Sequence, residues 1–155
     1  MARDVKQRKR YAGGFSVLEL IVTLALVAVV AAVGVLSHHA LRPEINLSMA
    51  ARQVVMDLKV ARMRAVARNV NHRIVFPTGD SSYRLQHKTG TTYSDDGQPV
   101  PLPAGIVIAS CTATASAIGF KPRGNAATFG TVTLQNGKGE ARRVIVDIAG
   151  EVRVQ

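Results

Sequence analysis

Glu19 is a carboxylate near the start of an apolar run, and that placement poses a chemical problem. From Phe15 to Leu36 about 22 residues pass with little polar interruption beyond Ser16, Glu19, Thr23 and Gly34. As a helix rising 1.5 Å per residue they reach roughly 33 Å, enough to cross a bilayer. A carboxylate in such a segment costs on the order of 2 to 3 kcal/mol on insertion scales, so it calls for a cation. A cut after Gly14 would create one, because the freed α-amino group of Phe15 lies four residues before Glu19. Such a cut would supply the partner, and the chemistry the carboxylate asks for is neutralisation by an amine.

Elsewhere the reactive residue types do not assemble into a catalytic pattern. His38, His39, His72 and His87 are scattered, with no Asp or Glu at metal-ligand spacing, so neither a metal nor a cofactor is predicted. Gly137-Lys138-Gly139 lacks the remaining glycine spacing of a phosphate loop and reads as a hairpin turn. Asp95-Asp96-Gly97 is an isolated acidic turn whose two carboxylates offer calcium an incomplete ligand set. Cys111 is the only cysteine, so no disulfide can form within the chain, and among Ala109, Ser110, Thr112 and Ala113 it reads as a small semi-buried residue. The chain is therefore expected not to be an enzyme.

The elements that must position Glu19 begin with a basic leader. Residues 1–14 hold Arg3, Lys6, Arg8, Lys9 and Arg10 against Asp4, about +4 of the chain's formal +10, leaving about +6 after a cut at Gly14. Basic flanks stay cytoplasmic, which sends the remainder outward across the membrane. The apolar run is longer than a signal-peptide core, and Ala32-Val33-Gly34 is a weak small-x-small site, so residues 15–36 read as a transmembrane helix. After Pro43, which is placed to kink or restart the helix, Leu47, Ala51, Val54, Leu58, Ala61 and Ala65 recur at spacings of four and three. That is one apolar helix face, with Arg52, Lys59, Arg62 and Arg68 on a polar one, and residues 37–69 are predicted to be an amphipathic extension ending near Asn69.

From residue 70 to 155 the pattern turns to short β-type runs between Gly, Pro, Asn and Asp clusters. Strands are predicted at 73–76, 83–87, 106–109, 117–121, 131–135, 143–148 and 151–154, with turns at Pro77-Thr78-Gly79-Asp80 and Asn136-Gly137-Lys138-Gly139 and a polar loop from Thr89 to Pro103. The fold class expected is α+β: a long N-terminal helix, membrane-spanning in its first half and amphipathic in its second, packed on a small antiparallel β-sheet head.

The residues Gly14, Phe15, Ser16, Val17, Leu18, Glu19, Leu20 and Ile21 after a basic leader resemble the signature of type IV pilins and type II secretion pseudopilins. Asp57-Leu58, Ala61-Arg62, Ala65-Val66-Ala67-Arg68-Asn69, Ile118-Gly119-Phe120 with Pro122 and Gly124, and the hairpin from Val144 to Val154 resemble the GspH/FimT-type pseudopilins and minor pilins. The resemblance implies cleavage after Gly14 by prepilin peptidase and N-methylation of Phe15. It also implies pairing of Glu19 with the terminal amine of a neighbouring subunit. The implied protein is a subunit of a type IV pilus or type II secretion pseudopilus, anchored by one pass in the bacterial inner membrane among its lipids before assembly, with its head in the periplasm. Pilus and secretion system remain equal alternatives.

Some FimT-like minor pilins are DNA receptors whose last hairpin carries Gly-Arg-x-Arg, which makes Arg142, Arg143 and Arg153 candidate DNA-binding residues. Here the motif reads Gly150-Glu151-Val152-Arg153, with a carboxylate where a phosphate-binding cation would stand. DNA is thus the alternative partner to other filament subunits.

Overall fold

A computed structural model describes residues 16–155, with side chains described for 16–31 and 42–155. The leader 1–14 and the Gly14–Phe15 bond lie outside the described residues. The chain divides into two compact units, Met1–Ala40 and Leu41–Gln155. One helix, α1 (Val17–Arg68), runs through both, and Pro43 sits inside it without ending it.

In the second unit, α1 is held by its apolar face. Leu47, Ala51, Val54, Leu58, Ala61 and Ala65, the residues of the four-and-three spacing, are all buried, with Ala50 beside them. Four of these seven are alanines, which let the strands come close to the helix backbone. The helix stops at Arg68 because Asn69 turns left-handed, φ 52°, and the Val70 N–H folds back to the Ala65 carbonyl. Asparagine tolerates this conformation at a helix end better than most side chains.

Ten strands follow: β1 (His72–Val75), β2 (Ser82–Thr89), β3 (Thr92–Asp95), β4 (Val100–Pro101), β5 (Ile106–Cys111), β6 (Ala117–Phe120), β7 (Ala126–Thr128), β8 (Gly130–Asn136), β9 (Ala141–Val146) and β10 (Val152–Val154). They form two antiparallel sheets, one in the order β3-β2-β1-β6-β7 with β4 also on β2, the other β10-β9-β8-β5. The α+β prediction matches this architecture, and each predicted strand overlaps an observed one. The polar loop predicted from Thr89 to Pro103 is instead partly ordered: β3 returns along β2, and Val100 pairs with Tyr83. Pairing with an existing strand supplies what the local sequence lacks, since Thr-Tyr-Ser-Asp alternates too weakly to signal an edge strand alone.

One buried cluster joins the helix to both sheets. Ile74, Tyr83, Ile118 and Phe120 come from the first sheet, Phe76 from just past the end of β1, and Ile106, Ile108, Val132, Leu134, Val144 and Val146 from the second. Phe76 and Tyr83 stack tilted with ring centroids 5.4 Å apart, a favoured aromatic geometry. Around this apolar centre the helix is fastened by polar clasps. Asn46 donates to the Ala104 carbonyl at 3.0 Å, Gln53 to the Pro101 carbonyl at 3.0 Å, and Arg62 Nε to the Gly124 carbonyl at 2.7 Å.

Candidate assembly helix and head surface

The start of α1 is built by Ser16. Its carbonyl accepts from the Leu20 N–H at 3.1 Å and its hydroxyl from the Leu18 N–H at 3.3 Å, so it caps the helix. Glu19 then stands in the first turn, three residues after the cap. Ser-x-x-Glu at this spacing is the capping-box pattern, and a negative charge in a first turn gains about 0.3 to 1 kcal/mol from the helix dipole. The pattern was readable in the sequence beside the pairing chemistry, and it gives the carboxylate a local role in starting the helix.

From Val17 to Ala31, Glu19 and Thr23 aside, the helix is apolar on every side. Val17, Leu18, Leu20, Ile21, Val22, Leu24, Leu26, Val27, Val29 and Val30 are each at least half exposed, Val17 at 76%. Leaving each such side chain in water forfeits about 1.5 to 3 kcal/mol, so a helix of this kind is stable only when lipid or other helices cover it. Among the described residues no helix is long and apolar enough to cross a membrane. The described side chains of the run end at Ala31, and those of His38 and His39 lie outside them.

The three candidate DNA-contacting arginines do not form one patch. Strand alternation puts Arg142, opposite Leu134, on the face of β9 that carries buried Val144 and Val146. Arg143 and Arg153 lie on the other face, where Arg153 faces Ile145. Arg153 is already engaged, 3.2 Å from Asp147 and 3.5 Å from Glu151. The Glu151 N–H, the Arg153 guanidinium and the Ala149 N–H hold the Asp147 carboxyl below the usual carboxylate range against slight desolvation. Glu151 therefore does more than repel phosphate, since it also occupies a neighbouring cation.

Gly150, the first residue of that hairpin motif, has a packing role. Its φ is +82°, and a Cβ there would lie 2.5 Å from the Gly124 carbonyl oxygen and 3.4 Å from Ala126 N. The β9–β10 turn thus presses directly on the β6–β7 loop.

The histidines are not all scattered. The β1–β2 register places His72 opposite His87, with ring centroids 6.0 Å apart. Asp96 meets them, 3.9 Å from His72 Nε2 and 4.0 Å from His87 Nδ1, and takes Arg64 at 2.8 Å and Arg68 at 3.5 Å. Partial burial pushes the Asp96 carboxyl up, but the Arg64 hydrogen bond and the charges of Arg64, Arg68 and His87 outweigh it and hold the group below the usual range. Sequence spacing missed this cluster because strand pairing and a helix end create it. It also answers the calcium reading of the acidic turn: Asp96 is taken by guanidinium groups, and Asp95 accepts from Gln86 at 2.7 Å with Arg84 3.7 Å away. Among the described residues no group of three His, Cys, Asp or Glu is arranged to hold a metal.

Beside this cluster lies a cavity of about 160 Å³ lined in part by Asp57, Arg64, Tyr83 and Asp96, which are paired among themselves and with Gln53. Tyr83 donates to Asp57 and accepts from Gln53, and Asp96 accepts from Arg64. Burial first, then the Asp57 hydrogen bond and charge, push the Tyr83 hydroxyl far up, so it is a permanent donor at any working pH. Cys111, half-buried at the end of β5, has its thiol pushed up by burial and is a thiol at neutral pH.

The comparisons agree with this geometry. The fold is similar to that of the minor pseudopilin EpsH from the type 2 secretion system of Vibrio cholerae, with TM-score 0.58 and 10% identity over 71% of this chain and 96% of that one. It is also similar to the type IV minor pilin FimU of Pseudomonas aeruginosa strain PAO1, with TM-score 0.56 and 13% identity over 72% and 90%. No curated protein sequence matches the chain. The family model for the type II transport protein GspH matches residues 50–150, which take in the clasped half of α1 and nearly the whole head. A helix held by an alanine-rich face over two antiparallel sheets, with that match across it, makes the chain a member of the GspH family.

Proposed function

We propose that the chain is a minor subunit of a type IV pilus or a type II secretion pseudopilus, inserted into the filament through α1 after its leader is removed. One observation carries this reading: Glu19 sits in the first turn of a helix whose apolar side chains from Val17 to Val30 are exposed on every side. Lipid covers such a surface before assembly and neighbouring helices cover it afterwards, so the change of environment does not re-expose apolar area to water. In the filament the Glu19 carboxylate pairs with the methylated terminal amine of an adjacent Phe15. Both charges are satisfied only at the correct axial offset, so the pair selects register as well as adding strength.

Prepilin peptidase cuts after Gly14 in this scheme, and the head stays on the periplasmic side. The scheme asks for no catalysis by this chain, which acts in it as a structural subunit. The DNA-receptor alternative gains no support from a hairpin that splits its arginines between two faces and pairs Arg153 with two carboxylates.

Glu19→Gln tests the reading with the least collateral change, because glutamine also fits a capping box but carries no charge. Glu19→Gln and Glu19→Ala are both expected to be processed normally yet fail to enter sheared filaments. Incorporation of the Gln variant at the wild-type level would reduce Glu19 to a helix cap. Replacing Gly14 with a bulky residue is expected to leave a leader-bearing precursor about 14 residues heavier by mass spectrometry, and an unchanged mature mass would remove the cleavage step.

A further inference from the structure

On its polar side, opposite the face the head covers, the clasped half of α1 carries a row of apolar residues interrupted by two cations. Met49, Met56 and Met63 recur at intervals of seven, and Ile45, Arg52, Lys59 and Val66 fill the intervening positions at alternating steps of four and three. This is a heptad seam, every first position methionine, and at 100° per residue it lies directly across the helix from Leu47, Val54, Leu58 and Ala65. The head leaves it uncovered: Ile45, Met49, Met56, Met63 and Val66 are between 52% and 64% exposed. Its upper end opens into a groove of about 480 Å³ formed with Lys59, Arg62 and Ala67. From Ile45 to Val66 the seam is roughly 32 Å long at 1.5 Å per residue, the length of a multi-turn helix contact.

We propose that this seam receives a helix of another kind of filament subunit, apolar along one side and bearing Asp or Glu opposite Arg52 and Lys59. The inference deepens the filament-subunit reading and rests on it for the class of partner. Charge decides the occupant. Arg52 and Lys59 flank Met56 at the centre of the seam, both are exposed, and among the described residues neither makes an ion pair. Arg62, beside them, is committed to the Gly124 carbonyl. A second copy of the same seam would set these cations against like charges or bury them unpaired, both of which are strongly disfavoured. Lipid tails would leave them equally unpaired. A partner carboxylate facing each cation removes the penalty, and unbranched, polarizable methionine side chains adapt to a partner of different shape.

Photo-crosslinking in cells that assemble the filament tests this with the full chain. Met56→benzoylphenylalanine places the probe at the centre of the seam, and mass spectrometry of the adduct reads what covers it. The expected adduct is to a helix of a different filament subunit with acidic residues facing positions 52 and 59. Adding Arg52→Glu and Lys59→Glu, both at exposed sites, is expected to lower its yield by roughly tenfold or more. An adduct to a second copy, an adduct to lipid alone, no adduct in filament-borne protein, or a yield unchanged by the charge reversal would each overturn the proposal. Recovery of the chain in sheared filaments is scored separately. Failure there with the acidic-helix adduct retained overturns the filament reading and upholds the seam.

Discussion

Replacing Gly150 with alanine asks how much of the head's stability rests on one close backbone approach. Two penalties are expected. The left-handed φ of +82° disfavours any residue with a Cβ, by about 1 to 2 kcal/mol. The new methyl would also stand 2.5 Å from the Gly124 oxygen and 3.4 Å from Ala126 N and Asn125 Cα. These are backbone atoms, so no side chain can swing aside, and relief requires moving the β9–β10 turn or the β6–β7 loop. Overpacking of that kind adds about 1 to 3 kcal/mol. Reduced freedom of the unfolded chain returns about 0.4 to 1 kcal/mol, leaving a net destabilisation of about 2 to 4 kcal/mol. Two other glycines separate the contributions. Gly139 has φ +84° with its nearest neighbour 3.9 Å away, so its alanine variant meets the backbone penalty alone, whereas at Gly137 nothing lies within 4 Å and φ is not left-handed. Urea unfolding of the full chain in detergent, followed by near-ultraviolet circular dichroism of the tyrosines, is expected to rank the midpoints Gly137→Ala highest, Gly139→Ala next and Gly150→Ala lowest. Equal midpoints for the Gly139 and Gly150 variants would refute the close-approach argument and leave only the φ penalty.

Other perturbations test the remaining joints by the same unfolding assay unless stated. Leu58→Ala, at the fully buried centre of the helix face, is expected to cost about 2 to 5 kcal/mol, and a loss below 1 kcal/mol would place that face outside the core. Asp96 has a folded-state carboxyl below its usual range, so its contribution is fully present above the unfolded value near pH 4 and disappears as pH falls through the lowered one. Asp96→Asn should therefore lose about 1 kcal/mol at neutral pH, and the gap from wild type should close in acid; a gap that widens in acid would reverse the sign. For DNA, a gel-shift titration should show only weak retention that disappears by about 0.15 M salt. Glu151→Arg should strengthen it and steepen the salt slope by about one, whereas tight wild-type binding at that salt would restore a recognition role for Arg142, Arg143 and Arg153.

Legibility in the sequence followed the range of the interactions. The buried face of α1 was readable because residues three and four apart share a side, and its end at Asn69 because asparagine accepts the left-handed turn. β5, β8 and β9 announced themselves through valine and isoleucine. The short β7, Ala126–Thr128, carries no such signal and exists because β6 is there to pair with. The Asp96 cluster depends on the His72–His87 register and on a loop arriving from 96, and neither is encoded locally. At the start of α1 the Ser16-x-x-Glu19 spacing was legible, and the direction of the Ser16 hydroxyl turns that spacing into a cap. The methionine seam was also visible as a heptad, but only the burial of the opposite face shows that the head leaves it uncovered.

The solitary Cys111 has a consequence for the order of events in the cell. Two sheets and a helix are held by apolar contacts and by clasps such as Arg62 to the Gly124 carbonyl, with no covalent crosslink within the chain, since it has one cysteine. Disulfide formation takes seconds to hours and requires an oxidant. This head waits for neither, so its folding depends on no oxidant and its fold is unchanged when the surroundings turn reducing.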